Sequence, residues 1–251
     1  MEYLRCAEQI VLLALLASLF YRGLAKSYLF FTTYLAACVL RAASLLTLNY
    51  HGMLYARAWA TTEPILLFLQ SLVVLELTES VFECYPEIAH LAKVLIAWSL
   101  LLGALIGGSL ALVPAIYNQD QPLWLAIVMG AWKWSSLTCA LILALQSAWF
   151  SAFPLPMKSN VALHRWLLTI FIGFVPACSA FLVELRRLRI ADQAVFLQLV
   201  LETGCCLGWI LLFRKAGEQI RYRPGWNALE EQGRIRREYL LFIENLGRKL
   251  S

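Results

Sequence analysis

Residues 58–79 read AWATTEPILLFLQSLVVLELTE, and the reading of this stretch decides the fold. As a helix it is long enough to cross about 30 Å of hydrocarbon. Yet it carries Glu63 near its start and Glu76 and Glu79 at its end, with Glu83 just beyond. At about 100° per residue Glu76, Glu79 and Glu83 share one helix face. Counted from Arg57, Glu76 lies about 28 Å along the axis at 1.5 Å per residue, so the triplet begins where the hydrocarbon ends. The spacing predicts a helix leaving the membrane, with its carboxylates solvated or paired at the interface and Tyr85-Pro86 closing it. The alternative is an ion or partner site on the inner face.

The rest of the chain repeats the pattern. Of its 251 residues 61% are hydrophobic and only 15% charged, and the mean hydropathy is +0.69. A soluble domain is about half apolar and a quarter charged, so the excess excludes a water-facing fold. Strand-type alternation is absent, which argues against a lipid-embedded barrel. Apolar runs between polar or Gly/Pro punctuation predict spans near 6–22, 28–48, 58–79, 92–115, 123–152, 162–183 and 195–214. The expectation is an all-α, polytopic transmembrane bundle of seven spans over residues 1–214, followed by a tail over 215–251.

Positive charge orients it. One side carries Arg22, Lys26, Lys93, Lys158, Arg165, Arg214, Lys215, Arg221 and Arg223; the other carries Arg5, Arg57, Arg186, Arg187 and Arg189. The majority side is cytoplasmic, which puts the N-terminus outside and the tail inside, although the cluster at 186–189 opposes this. The formal charge of +5 thus reflects the bilayer, and no nucleic-acid partner is implied. Trp59, Trp124, Trp149 and Trp166 mark span ends as an interfacial belt. Gly23-Leu-Ala25 offers a signal-cleavage pattern, but Glu2, Glu8 and Arg22 stand where such a signal needs other residues, so the first span is expected to be retained.

Gly103-x-x-x-Gly107 and Gly204-x-x-x-Gly208 let helices approach closely, inside one bundle in preference to a dimer seam. Pro176 predicts a kink in span six. In the tail, Asn227 and Glu230 form an N-cap signal, and Ile235, Tyr239, Phe242, Ile243 and Leu246 recur at helical spacing. This reads as a basic amphipathic helix on the inner leaflet; docking on a membrane or cytoplasmic protein partner is the alternative.

Four charges lie deeper. Arg41 and Glu63 fall about 8 to 11 Å below the outer surface, on adjacent antiparallel spans, and Lys133 and Glu202 fall near the midplane. An ion surrounded by lipid costs about 2.5–3.5 kcal/mol or more, so each of them must face the interior and find a partner or water. Each sits on a polar stripe: Tyr34, Arg41 and Ser44; Glu63 and Gln70; Lys133 and Ser136; Gln198, Glu202, Cys205 and Trp209. The expectation is a polar cavity in the outer half lined by Arg41, Glu63, Gln70, Lys133, Gln198 and Glu202, with Arg41 paired to Glu63 and Lys133 to Glu202, or all four in one network. Pairs that merely fix helix register are the alternative.

Other chemistry is missing. The seven cysteines form no CxxC pair, the only aspartates are Asp120 and Asp192 in connections, and His51, His90 and His164 lie at span ends on different sides. Cys84, Glu87 and His90 match no strong zinc spacing. No catalytic residue, metal or cofactor is expected.

The segments FFTTYLAACVLR (30–41), YARAWATTEPILLFLQSLVVLE (55–76) and VFECYP (81–86) resemble an uncharacterised family of bacterial seven-helix membrane proteins. The resemblance implies the fold and a plasma-membrane location, and brings no catalytic residues. The preferred functional expectation is a non-enzymatic receptor or sensor whose outer pocket takes a small molecule. A secondary transporter or ion-coupled carrier comes next, against which stand the odd span number and the lack of an internal repeat; an intramembrane enzyme comes last.

Overall fold

The computed structural model describes residues 2–46, 48, 52–83, 86–117, 122–152, 157–174, 191–219, 233 and 237. It is all-helical, with seven helices and no strand among the described residues: α1 (Glu2–Tyr21), α2 (Leu29–Leu46), α3 (Met53–Val81), α4 (Pro86–Tyr117), α5 (Leu123–Ala152), α6 (Ser159–Leu168) and α7 (Ala191–Leu212). A π-helical turn, Thr169–Phe174, continues α6, and a 3-10 turn, Lys215–Glu218, follows α7. Pro176, the arginines at 186–189 and the tail signals at 227–230 lie outside the described residues. Four helical segments are long and apolar enough to cross a membrane: Leu29–Leu46, Met53–Val81, Ile88–Leu110 and Leu123–Ala148. Ala7–Tyr21 and Phe196–Leu212 are apolar but shorter.

Local chemistry sets the ends. α1 stops in a Schellman motif: Leu24 N–H reaches Leu19 O (2.9 Å), Gly23 N–H reaches Phe20 O (3.0 Å), and Gly23 takes the left-handed φ of +70° that the motif demands. Leu24 and Leu19 are both buried, supplying the apolar contact that accompanies it. Pro86 does not merely close α3. It is the first residue of α4, a position where its missing N–H costs nothing.

Consecutive helices from α1 to α5 pack on each other, and the circuit closes through α5–α6, α6–α7 and α7–α1. Among the described residues, α3 touches α2, α4, α5 and α6, while α4 touches only α3 and α5. Hence α3 is the interior helix, with 39% of its apolar window buried against 17% in α2, α4 and α5. One end of the bundle, here called the floor, gathers the ends of α1, α3, α5 and α7 and the starts of α2, α4 and α6. The continuous buried apolar cluster belongs to this half. Leu15 and Leu19, Phe31 and Leu35, Val73 to Leu77, Leu143, Leu168, and Trp209 with Phe213 all lie on the floor side of their helices.

The small residues of α4 serve packing within the bundle. A Cβ on Gly107 would stand 2.5 Å from Trp134 Cβ and 2.6 Å from the Gly130 carbonyl oxygen, and one on Gly103 would meet the side chain of Thr138. On α7, a Cβ on Gly208 would stand 3.1 Å from the Leu167 side chain of α6, whereas one on Gly204 would meet nothing within 4 Å.

Candidate functional site

At the floor the carboxylates of α3 each have a partner. Glu76 accepts the N–H groups of Phe30 and Phe31, both at 3.0 Å, and so caps α2 from a neighbouring helix. Glu79 pairs with Lys93 (3.1 Å) and Glu83 with Lys158 (2.7 Å). The face is a paired helix end, with each of the three carboxylates joining a different element.

The floor also holds residues that sequence reasoning passed over. Trp209 Nε1–H donates to His164 Nδ1 (3.0 Å), which leaves the imidazole proton on Nε2 among the rings of Tyr28, Phe31 and Phe213. A nitrogen occupied in this way is not offered to a metal, and among the described residues no group of three His, Cys, Asp or Glu is placed to hold one. Asn160, one turn before His164, binds the backbone of Arg214 and the Glu218 carboxylate. The pair at i and i+4 on one face of α6 was the available signal.

In the opposite half, the buried described residues mix polar Glu63, Ser135 and Ser136 with apolar Ala60, Leu66 and Leu199. Arg41 of α2 and Glu63 of α3 form an ion pair at 2.6 Å, with side chains 16% and 5% exposed. The guanidinium lies 5.5 Å from the Trp59 ring centre, close enough for a cation–π contact. Pro64, immediately after Glu63, leaves the Ala60 carbonyl without its helical donor.

Tyr34 and Cys38 lie together one turn apart on α2, and Gln70 of α3 lies beside Cys139 of α5. Gln198 Nε2–H donates to Glu202 Oε1 at 3.3 Å, and the Glu202 carboxyl also bonds that of Glu8 on α1. A hydrogen bond between two carboxyl groups needs a proton on one of them.

Two features differ from the sequence expectation. Lys133 does not pair with Glu202, because α5 and α7 do not touch, and it makes no ion pair among the described residues. Glu8, which the sequence marks only as out of place in a signal peptide, is the residue brought to Glu202 instead. Arg41, Glu63, Gln198, Glu202 and Glu8 thus sit on α1, α2, α3 and α7, while Gln70 faces the α3–α5 seam and Lys133 stands apart.

These features define an all-helical bundle with several apolar helices of membrane-crossing length and a polar interior in one half. No family model matches the chain, and no curated protein or solved structure is significantly similar to it.

Proposed function

We propose that the chain is a seven-span integral protein of the bacterial plasma membrane, with the N-terminus outside, the floor facing the cytoplasm and residues 215–251 forming a cytoplasmic tail. We further propose that it acts as a receptor or sensor. Insertion is supported by outward-facing Leu40, Leu105, Leu141 and Leu211, which stand mostly exposed and would be costly in water. Orientation is supported by Arg22, Lys26, Lys93, Lys158, Arg165, Arg214 and Lys215, which cluster at the floor, against Arg5 and Arg57 toward the other end among described residues.

The observation that carries the functional reading is the Arg41–Glu63 ion pair, buried in the half of the bundle opposite the continuous apolar cluster. A small polar ligand entering from outside offers charges that compete with this pair. Ligand affinity for one arrangement of α1, α2, α3 and α7 over another then shifts the helices, and α7 leads directly into the tail. Amino acids, dicarboxylates and amines are the ligand classes to screen, using thermal unfolding in nanodiscs. A compound at about a hundred times its Kd adds about 2.7 kcal/mol of stability. The shift is expected in the wild-type protein and lost in Arg41→Gln and Glu63→Gln; a ligand whose shift survives both variants binds elsewhere and overturns this site.

The hydrogen-bonded Glu8 and Glu202 favour a second reading, a proton-coupled carrier, because the shared proton is one a transport cycle can release. Proteoliposome flux of the same compounds, coupled to a pH gradient and abolished in Glu202→Gln, selects this reading over the first.

A further inference from the structure

The segment that follows α7 does not leave the bundle freely. Arg22 at the end of α1 donates to the carbonyl of Phe213. Asn160 in the first turn of α6 then engages Arg214 on both of its peptide groups: Oδ1 accepts the Arg214 N–H (3.3 Å) and Nδ2 donates to the Arg214 carbonyl (2.8 Å). The same Nδ2 reaches Glu218 Oε1 at 2.6 Å, and Tyr28 O–H reaches that oxygen at 2.9 Å. The chain turns back tightly enough to do this because Gly217 N–H bonds the Arg214 carbonyl (2.9 Å) and Gly217 has no side chain. A Cβ there would lie 2.1 Å from Asn160 Oδ1. One turn deeper, His164 and Trp209 form a second rung between the same two helices, and Leu167 against Gly208 a third contact.

We infer that the turn Lys215–Glu218 is a clip that fastens the root of the tail to the first turn of α6, so that tail root, α7 end and α6 start move as one body. Asn160 is the positioning residue, since among the described residues its side chain bonds both Arg214 and Glu218. Directly beyond Leu168 the helix widens into the π-helical turn Thr169–Phe174, the kind of irregularity at which a helix bends. Motion of α6 above that turn is therefore separated from the clipped unit below it, and a tilt of the unit itself carries the tail along. The clip goes beyond the receptor reading: it couples the tail to α6 whether the open half senses a ligand or carries one.

Hydrogen exchange on the full-length protein in nanodiscs tests this. The readouts are the amides of Arg214 and Gly217, in a peptide covering 213–219, and the start of α6, in a peptide covering 157–165. Gly217→Ala forces Asn160 aside, and exchange in both peptides is expected to rise together by about tenfold, the loss of one or two hydrogen bonds, with α3 to α5 unchanged. Tyr28→Phe, which removes one hydroxyl and leaves the packing, is expected to raise both by about threefold. It serves as the decisive variant if Gly217→Ala also loosens α3 to α5. Faster exchange confined to 213–219, with 157–165 at the wild-type rate, overturns the coupling, and no change in either peptide overturns the clip.

Discussion

The two halves of this bundle solve the burial of polar groups in different ways. At the floor, Glu76, Asn160, His164 and Glu218 lie against a continuous apolar cluster, and each bonds a specific group on another element. Among the described residues of the opposite half, buried Ala60, Leu66 and Leu199 lie outside that cluster. Arg41 leans on Glu63 and Trp59, and Glu202 bonds a second carboxyl. Groups held by apolar packing and several hydrogen bonds have one arrangement available. Groups held mainly by each other can exchange partners when a competing ion or proton arrives. The contrast assigns rigidity to one half and responsiveness to the other, and it can be broken by mutation.

The largest effect belongs to the ion pair. Arg41→Leu or Glu63→Leu alone strands a buried charge and is expected to cost about 3–5 kcal/mol, whereas the double variant recovers most of that loss. Unfolding in mixed micelles or by steric trapping measures it. If both single variants cost under about 1 kcal/mol, water already reaches these side chains and the open half is wetter than the 5% exposure of Glu63 implies. A second comparison sharpens where the openness lies. Gly107→Ala pushes a methyl into Trp134 and the Gly130 backbone, and is expected to cost about 1–3 kcal/mol. Gly204→Ala meets nothing and is expected to change stability by less than about 0.5 kcal/mol, or to raise it slightly through helix propensity. Equal costs at the two glycines would mean that α7 is packed as tightly as α4.

At the floor, Glu76→Gln keeps one acceptor oxygen and loses the charge that receives two N–H groups at the start of α2. The expected cost is about 1 kcal/mol, with exchange of the Phe30 and Phe31 amides rising before any other.

Much of this architecture is written in the pattern of residues. Run lengths and punctuation place α2 and α5 within two residues at each end and start α3 and α4 five and six residues too late, because an apolar run of that length has few alternatives to a helix but polar first turns do not show in it. Depth counting also brings Arg41 to Glu63, since adjacent antiparallel helices put equal depths side by side. The same counting misassigns Lys133 and Glu202: equal depth constrains the height of a residue and says nothing about which non-consecutive helices touch. Glu8 is invisible as a partner for the same reason, because α1 and α7 meet only when the circuit closes. The clip is illegible for another reason. Asn160, Gly217 and Glu218 are ordinary residues at helix ends, and only the approach of Gly217 to Asn160 distinguishes them.

A small effect also belongs to Glu79 and Lys93, and it defines where the floor stops. Their charged atoms are 3.1 Å apart, a distance that in a dry interior would matter a great deal. But the side chains are 66% and 33% exposed, so solvent screens the attraction, and two flexible side chains lose rotamer freedom in making it. Glu79→Gln and Lys93→Gln are each expected to lower stability by less than about 1 kcal/mol, and a double-mutant cycle to return a coupling that fades between low and high salt. Glu76 is only three residues away on the same helix and is expected to show no such salt dependence, because its partners are backbone N–H groups fixed at the head of α2. A coupling at Glu79 that survives high salt would place it inside the low-dielectric floor with Glu76, and would move the boundary between protein interior and interface outward by one helical turn.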